Sequence, residues 1–223
     1  MLSYGTPFVA SFSGGKDSTL ALWRACQAGA RPVALLTMLD ETGARSRSHG
    51  IQPDVLAAQA RAIGIPLLTG NASWGDYEQV FIAQLGVARQ MGASAAVFGD
   101  IDLDAHRAWE EQVCAAAGLA PHLPLWQQSR LALVREFVDA GFDARIVVVR
   151  RDLMAADYLG ARFDHALIDR MQAEGIDPCG EAGEFHTLVC GGPLFAQSLA
   201  LECRATTEYD KYLYLDFELS ARI

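Results

Sequence analysis

The sequence predicts an α/β fold: a parallel sheet with helices on both faces, followed by a small C-terminal α+β subdomain. Three observations predict it. Apolar runs of strand length alternate with helical patterns along most of the chain. A glycine turn, Ser13-Gly14-Gly15-Lys16-Asp17-Ser18, separates the first apolar run from the first helical pattern. Beyond about residue 150 the alternation becomes period-two and points to partly antiparallel strands. The expected division is a domain over residues 1–150 and a smaller subdomain over residues 151–223.

The elements follow in order. Residues 7–12 form an apolar run ended by Gly14-Gly15 and read as a buried strand. Over residues 17–28, Leu20, Leu22, Trp23 and Cys26 recur at helical spacing, and Gly29 stops the helix. Residues 33–39 read as a second strand and 40–52 as a polar loop. Pro53 opens a helix that closes near Gly64. A short strand is expected at 65–68, a helix at 77–91, a strand at 95–98 ending in Gly99-Asp100, and a helix at 104–117. Ser129 is the expected N-cap of a helix reaching residue 140. Residues 144–149 are strongly apolar and read as one more strand. In the last third, a helix is expected at 163–174, a loop at 178–184, and strands at 185–190, 197–206 and 212–219.

Composition narrows the function. With 18 basic and 27 acidic residues among 223, the formal charge is −9. A phosphate-backbone binder carries a basic surplus, so nucleic acid is not an expected partner. The apolar runs stop short of about 18 residues, so no membrane span is expected. Residues 1–5 lack a basic region and an apolar stretch, so no signal peptide is expected. The five cysteines contain no C-x-x-C pair, which argues against a zinc ribbon or a dithiol site. A reducing, cytoplasmic setting is the expectation.

The turn at residues 13–18 carries the strongest chemical signal. A helix N-terminus beyond a strand offers N–H groups and a partial positive charge to an anion. Gly14 and Gly15 allow close backbone approach, Ser13 and Ser18 add hydroxyls, and Lys16 adds a cation. This chemistry suits a pyrophosphate. It is not a Walker A loop, because Ala10 stands where that motif needs Gly and Asp17 follows the lysine.

Ser-Gly-Gly-Lys-Asp-Ser resembles the PP-loop of N-type ATP pyrophosphatases, the adenine nucleotide alpha-hydrolase-like superfamily. Four later segments narrow the resemblance to the diphthine–ammonia ligase family. They are Gly99-Asp100-Ile101; Arg107 with Glu110-Glu111; Pro124-Leu125-Trp126; and Cys179-Gly180-Glu181-Ala182-Gly183-Glu184-Phe185-His186-Thr187. Gln127 stands where related archaeal sequences tend to place Gly. The resemblance runs from Phe8 to about Phe195 and implies a three-layer, Rossmann-like (HUP-type) fold, with ATP bound by residues 1–150 and the acceptor by the smaller subdomain. It implies a ligase that adenylates a diphthine-like carboxylate, transfers ammonia and releases AMP and pyrophosphate, with elongation factor 2 as the family's acceptor. The alternatives are a PP-loop pyrophosphatase with another acceptor, either a small carboxylate or tRNA, and a non-catalytic adenine-nucleotide-binding protein.

Site residues are carried over position by position. ATP and its phosphates are expected on Ser13, Gly14, Gly15, Lys16, Asp17 and Ser18. Catalytic roles are expected for Lys16, Asp17, Glu181, Glu184 and His186, since two carboxylates and an imidazole suit the handling of ammonia. His49, Glu111, Gly183 and Thr187 are expected to bind substrate. Asp17 and Asp100 are expected to hold Mg²⁺ with ATP, because magnesium takes oxygen ligands. Asp40 is read equally as an adenosine contact or a solvent-facing turn. His106, His122 and His165 are assigned to surface or packing. The expected partners are ATP, ammonium and a carboxylate-bearing acceptor, and exposed sheet edges suggest a homodimer.

Overall fold

The computed structural model describes residues 2–220. They form two compact units. The first comprises residues 2–13, 17–47 and 64–128; the second comprises residues 14–16, 48–63 and 129–220.

The first unit is built on a parallel sheet of five strands: β1 (Pro7–Ser11), β2 (Arg31–Leu39), β3 (Leu67–Asn71), β4 (Ala95–Val97) and β5 (Ala120–His122). Their order is β3-β2-β1-β4-β5. Phe8, Val9 and Ala10 of the central strand are all buried, so the sheet is covered on both faces, as successive side chains point to opposite sides. On one face Val9, Leu36, Met38, Ala96 and Phe98 pack with Phe81 and Leu85 of α3 (Tyr77–Gln90) and with Val113 and Cys114 of α4 (Asp104–Ala117). The helix α1 (Lys16–Gln27) follows β1 and buries Leu20, Ala21, Leu22 and Ala25. The expected parallel α/β sheet is therefore present.

Two strands of this sheet depart most from the sequence expectation, and in the second unit the strand expected at 197–206 runs over Leu201–Tyr209 instead. β3 starts at Leu67 rather than residue 65, because Pro66 has no N–H to give the ladder. It then runs on through Thr69, Gly70 and Asn71, which carry no apolar side chain to mark a strand. β5 was not expected at all. Three residues containing Pro121 carry too little pattern to read as a strand, and their pairing with β4 supplies the order.

The second unit holds an antiparallel sheet in the order β7-β6-β9-β8. Its strands are β6 (Asp143–Arg150), β7 (Phe185–Gly191), β8 (Leu201–Tyr209) and β9 (Tyr212–Leu219). Three helices accompany it: α2 (Pro53–Ile63), α5 (Arg130–Asp139) and α6 (His165–Ala173). Ser129 caps α5 through the Ala132 N–H, as expected, and Asp164 caps α6 through the Leu167 N–H at 2.9 Å.

Two elements expected in the parallel layer lie here instead. β6 pairs antiparallel with both β7 and β9, and α2 packs on β9. Its buried run of Ile146 to Val149 looks the same in either kind of sheet, so only its partners distinguish them. The longest continuous stretch of the second unit begins at Ser129. No helix among the described residues is long and apolar enough to cross a membrane.

Candidate active site

The first unit places one group of predicted residues at a switch point of the sheet. Strand order reverses between β1 and β4, and ligands of open α/β sheets bind outside the carboxyl ends of strands at such a point. The chain leaves β1 into the glycine turn and leaves β4 into Gly99-Asp100. Ser18 Oγ accepts the Ser13 N–H at 3.2 Å and lies 3.0 Å from Ser13 Oγ, which closes the turn on itself. Gly99 lies against it: a Cβ there would come within 2.8 Å of the Asp17 carbonyl carbon and of the Ser18 nitrogen. Only glycine fits that approach.

Asp100 is held from two sides. His106 Nδ1 lies 2.7 Å from its Oδ1, and Glu110 is hydrogen-bonded to it as well. Burial pushes the Asp100 carboxyl up, but these bonds and the nearby His106 outweigh it, so Asp100 stays below its ordinary range and anionic. Glu110, 2% exposed, is pushed up to about 10 by burial first, then by Asp100 and Glu111. It is therefore a neutral acid beside a carboxylate. Neither His106 nor Glu110 was expected at the site.

Glu111, the expected substrate ligand, follows Glu110 on α4. It is half exposed and pairs with Arg107 at 2.7 Å, while the Arg107 guanidinium lies 5.3 Å from the centre of the Trp126 ring. Gln127 adopts φ +55° and donates its N–H to the Ile101 carbonyl at 2.6 Å. That left-handed backbone explains why a glycine suits this position. Asp40 is absorbed by its own turn: Oδ1 accepts from Thr42 N, Thr42 Oγ1 and Ala44 N at 2.6–3.1 Å.

The second unit takes the middle of the turn, residues 14–16, onto β7. The Gly14 carbonyl accepts the Val189 N–H at 2.9 Å, and the Lys16 N–H donates to Thr187 Oγ1 at 3.0 Å. Lys16 is buried, with Nζ donating to the Cys179 carbonyl and lying 5.2 Å from the centre of the Phe185 ring. Three positions singled out in the sequence, Lys16, Cys179 and Thr187, are thus joined through Lys16, and Gly14 is bonded to Val189 on the same strand as Thr187. A Cβ on Gly15 would meet His49 Nε2 at 2.5 Å and the Thr187 carbonyl at 3.1 Å.

His49 and His186 pack ring to ring, with centroids 4.5 Å apart and planes at 36°. Burial and the Lys16 charge hold His186 down at about 4. Burial, then His186 and Lys16, hold His49 well below its ordinary value. Both imidazoles are neutral at neutral pH.

The loop before β7 is organised by Asp177, which accepts from the Cys179 N–H at 2.9 Å and the Glu181 N–H at 3.4 Å and pairs with Arg130. Glu184 is nearly buried and accepts the Ala182 N–H at 3.0 Å, a turn that Gly183 allows with φ +77°.

Comparisons with known proteins cover both units. Residues 7–121 match the family described as diphthamide synthase N-terminal domain, and residues 129–219 match diphthamide synthase C-terminal domain. A Danio rerio protein named diphthine–ammonia ligase is 27% identical over 224 residues, covering 89% of this chain and 87% of its own. A Homo sapiens protein of the same name is 27% identical over 218 residues, covering 86% and 82%. Among solved structures, a predicted subunit of tRNA methyltransferase from Methanocaldococcus jannaschii aligns with a TM-score of 0.46 and 16% identity, over 84% of this chain and 98% of that one.

Proposed function

The chain belongs to the diphthamide synthase family, and from that premise we propose that it is an ATP-dependent ligase that turns a diphthine-like carboxylate into an amide. One observation carries this reading. The turn that suits pyrophosphate and the strand that carries Phe185-His186-Thr187 are hydrogen-bonded to each other through Gly14, Lys16, Thr187 and Val189. Two motifs 171 residues apart form one construction.

The reaction has two steps. A carboxylate oxygen of the acceptor attacks the α-phosphorus of ATP, the bond from that phosphorus to the bridging oxygen breaks, and pyrophosphate leaves. Ammonia then attacks the acyl carbon, the acyl–oxygen bond breaks, AMP leaves, and the nitrogen sheds a proton. Ser13 to Ser18 orient the pyrophosphate end. Lys16 offsets the charge that develops there, and its low exposure strengthens that effect. Glu181, Glu184 and His186 receive ammonia and the proton. His186, neutral at neutral pH, accepts a hydrogen bond from ammonia without repelling it.

Mg²⁺ fits the first unit's donors. Magnesium with a nucleotide takes one or two carboxylates and completes its shell with phosphate oxygens and water. Among the described residues no cluster of three or more His, Cys, Asp or Glu forms a protein cage, and Asp100 is kept anionic. Asp17 and Asp100 would hold the ion, which neutralises phosphate charge. His49, Glu111, Gly183 and Thr187 remain proposed acceptor contacts. Glu111 also pairs with Arg107. We place the protein in the cytoplasm, where the reaction's substrates meet. The exposed edge strand β8 supports a homodimer, which light scattering tests.

The deciding experiment is MgATP turnover with ammonium, with and without archaeal elongation factor 2 carrying diphthine. AMP and pyrophosphate that appear only with the acceptor establish the ligase. Absence of AMP in both tubes overturns it. The Lys16→Ala, Asp17→Ala double variant is expected to form no AMP.

A further inference from the structure

The Gly14 carbonyl, already bonded to the Val189 N–H, accepts a second hydrogen bond, from Gln59 Nε2 at 3.0 Å. The same nitrogen donates to the Val189 carbonyl at 2.7 Å. Gln59 lies in α2 and is 0% exposed, among Val55, Leu56, Ala58, Ala60 and Ala62 on the buried side of the helix. A primary amide in such surroundings is costly unless it is hydrogen-bonded. Its two N–H donors are committed to the turn and to β7. The fit is close. A Cβ on Gly14 would come within 2.6 Å of Gln59 Oε1 and 3.2 Å of Ile51 and Leu56, and Gly14 itself has φ +81°.

We propose that Gln59 is a positioning residue for the phosphate turn: its carboxamide clamps the Gly14 carbonyl to β7 and thereby fixes the plane of the Gly14–Gly15 peptide. A trans peptide carries its C=O and N–H on opposite sides, so anchoring the Gly14 oxygen sets the direction of the Gly15 N–H. A turn already held in its anion-binding conformation needs no ordering when pyrophosphate arrives. Gln59 touches no reacting atom. The inference rests on the ATP reading and adds to it the residue that sets affinity at the pyrophosphate end.

Gln59→Met keeps length and bulk and removes both donors. Calorimetric binding of magnesium pyrophosphate and steady-state AMP formation test it. The dissociation constant for pyrophosphate is expected to rise about tenfold, the size of one lost buried hydrogen bond. KM for ATP rises in parallel, with kcat largely kept. Val55→Ala truncates the core of the same helix without touching Gly14. It lowers Tm and leaves pyrophosphate affinity unchanged. Wild-type affinity in Gln59→Met overturns the proposal, and so does an equal loss of affinity in Val55→Ala. If Gln59→Met does not fold, the wild-type protein decides by NMR. The Gln59 side-chain amide signals shift on saturation with pyrophosphate, or the proposal falls. Wild-type protein that binds neither pyrophosphate nor MgATP overturns the ATP reading and this role with it. Wild-type binding with an unaffected Gln59→Met overturns the role alone.

Discussion

Glu110 is hydrogen-bonded to Asp100 in the interior of the first unit, one carboxyl neutral and the other anionic. Two ionised carboxylates at that separation repel, so the proton on Glu110 is what lets Asp100 keep its charge. Glu110→Gln preserves a donor to Asp100, and its stability is expected within about 1 kcal/mol of wild type. Glu110→Ala removes the donor and leaves a gap, and is expected to cost about 2–3 kcal/mol. Urea unfolding of both variants checks this. Equal losses in the two would show that the hydrogen bond to Asp100 is not what Glu110 contributes.

The histidine pair sets an acid limit. His186 sits at about 4 in the folded chain, against about 6.5 when unfolded, and His49 is displaced the same way. Between those values the unfolded chain binds protons that the folded one does not, so stability rises with pH there. The contribution is complete above about 6.5 and is lost as pH falls toward about 4. For His186, which keeps some exposure, this is on the order of 2 kcal/mol. His186→Phe is expected to flatten the slope between pH 6.5 and 4 in urea titrations. An unchanged slope would remove His186 as its source.

Gln127 occupies left-handed backbone at φ +55°. Its N–H bond to Ile101 holds it there against a steric cost of about 1 kcal/mol. Gln127→Gly relieves that cost, and Tm is expected to rise by a few degrees, about 0.5–1 kcal/mol. A fall in Tm would mean that the glutamine side chain contributes more than the backbone strain removes.

Thr187 Oγ1 accepts the Lys16 N–H in a buried setting. Thr187→Val keeps the shape and leaves that N–H without its acceptor, at an expected cost of about 1–3 kcal/mol. Thr187→Ser keeps the acceptor and is expected to retain most AMP formation. Calorimetric melting and an AMP assay on the pair distinguish loss of the hydroxyl from loss of the methyl group.

Much of this was legible in the chain. The helix at Asp104–Ala117 is where its periodicity put it, and Ser129 caps α5 as its position before an apolar pattern indicated. Glu110 was within reach too. It falls on the stripe Glu110, Val113, Cys114, Ala117, which is the buried face of α4, whereas Glu111 lies off that stripe. Gln59 gave a similar signal, a polar residue on the buried stripe of α2. His106 gave none, because its link to Asp100 depends on how the chain turns between β4 and α4.

The sequence by itself determined most of the local elements and the position of the glycine turn, because these depend on residues a few positions apart. Side-chain periodicity and backbone freedom act over that range. Tertiary structure alone decided which sheet β6 joined, that α2 packs with the antiparallel strands, and that Lys16 turns inward onto the carbonyl of Cys179. The last of these joins residues 163 positions apart. A buried apolar strand serves equally in either sheet, and only the partners that complete its hydrogen bonds and bury its faces select one.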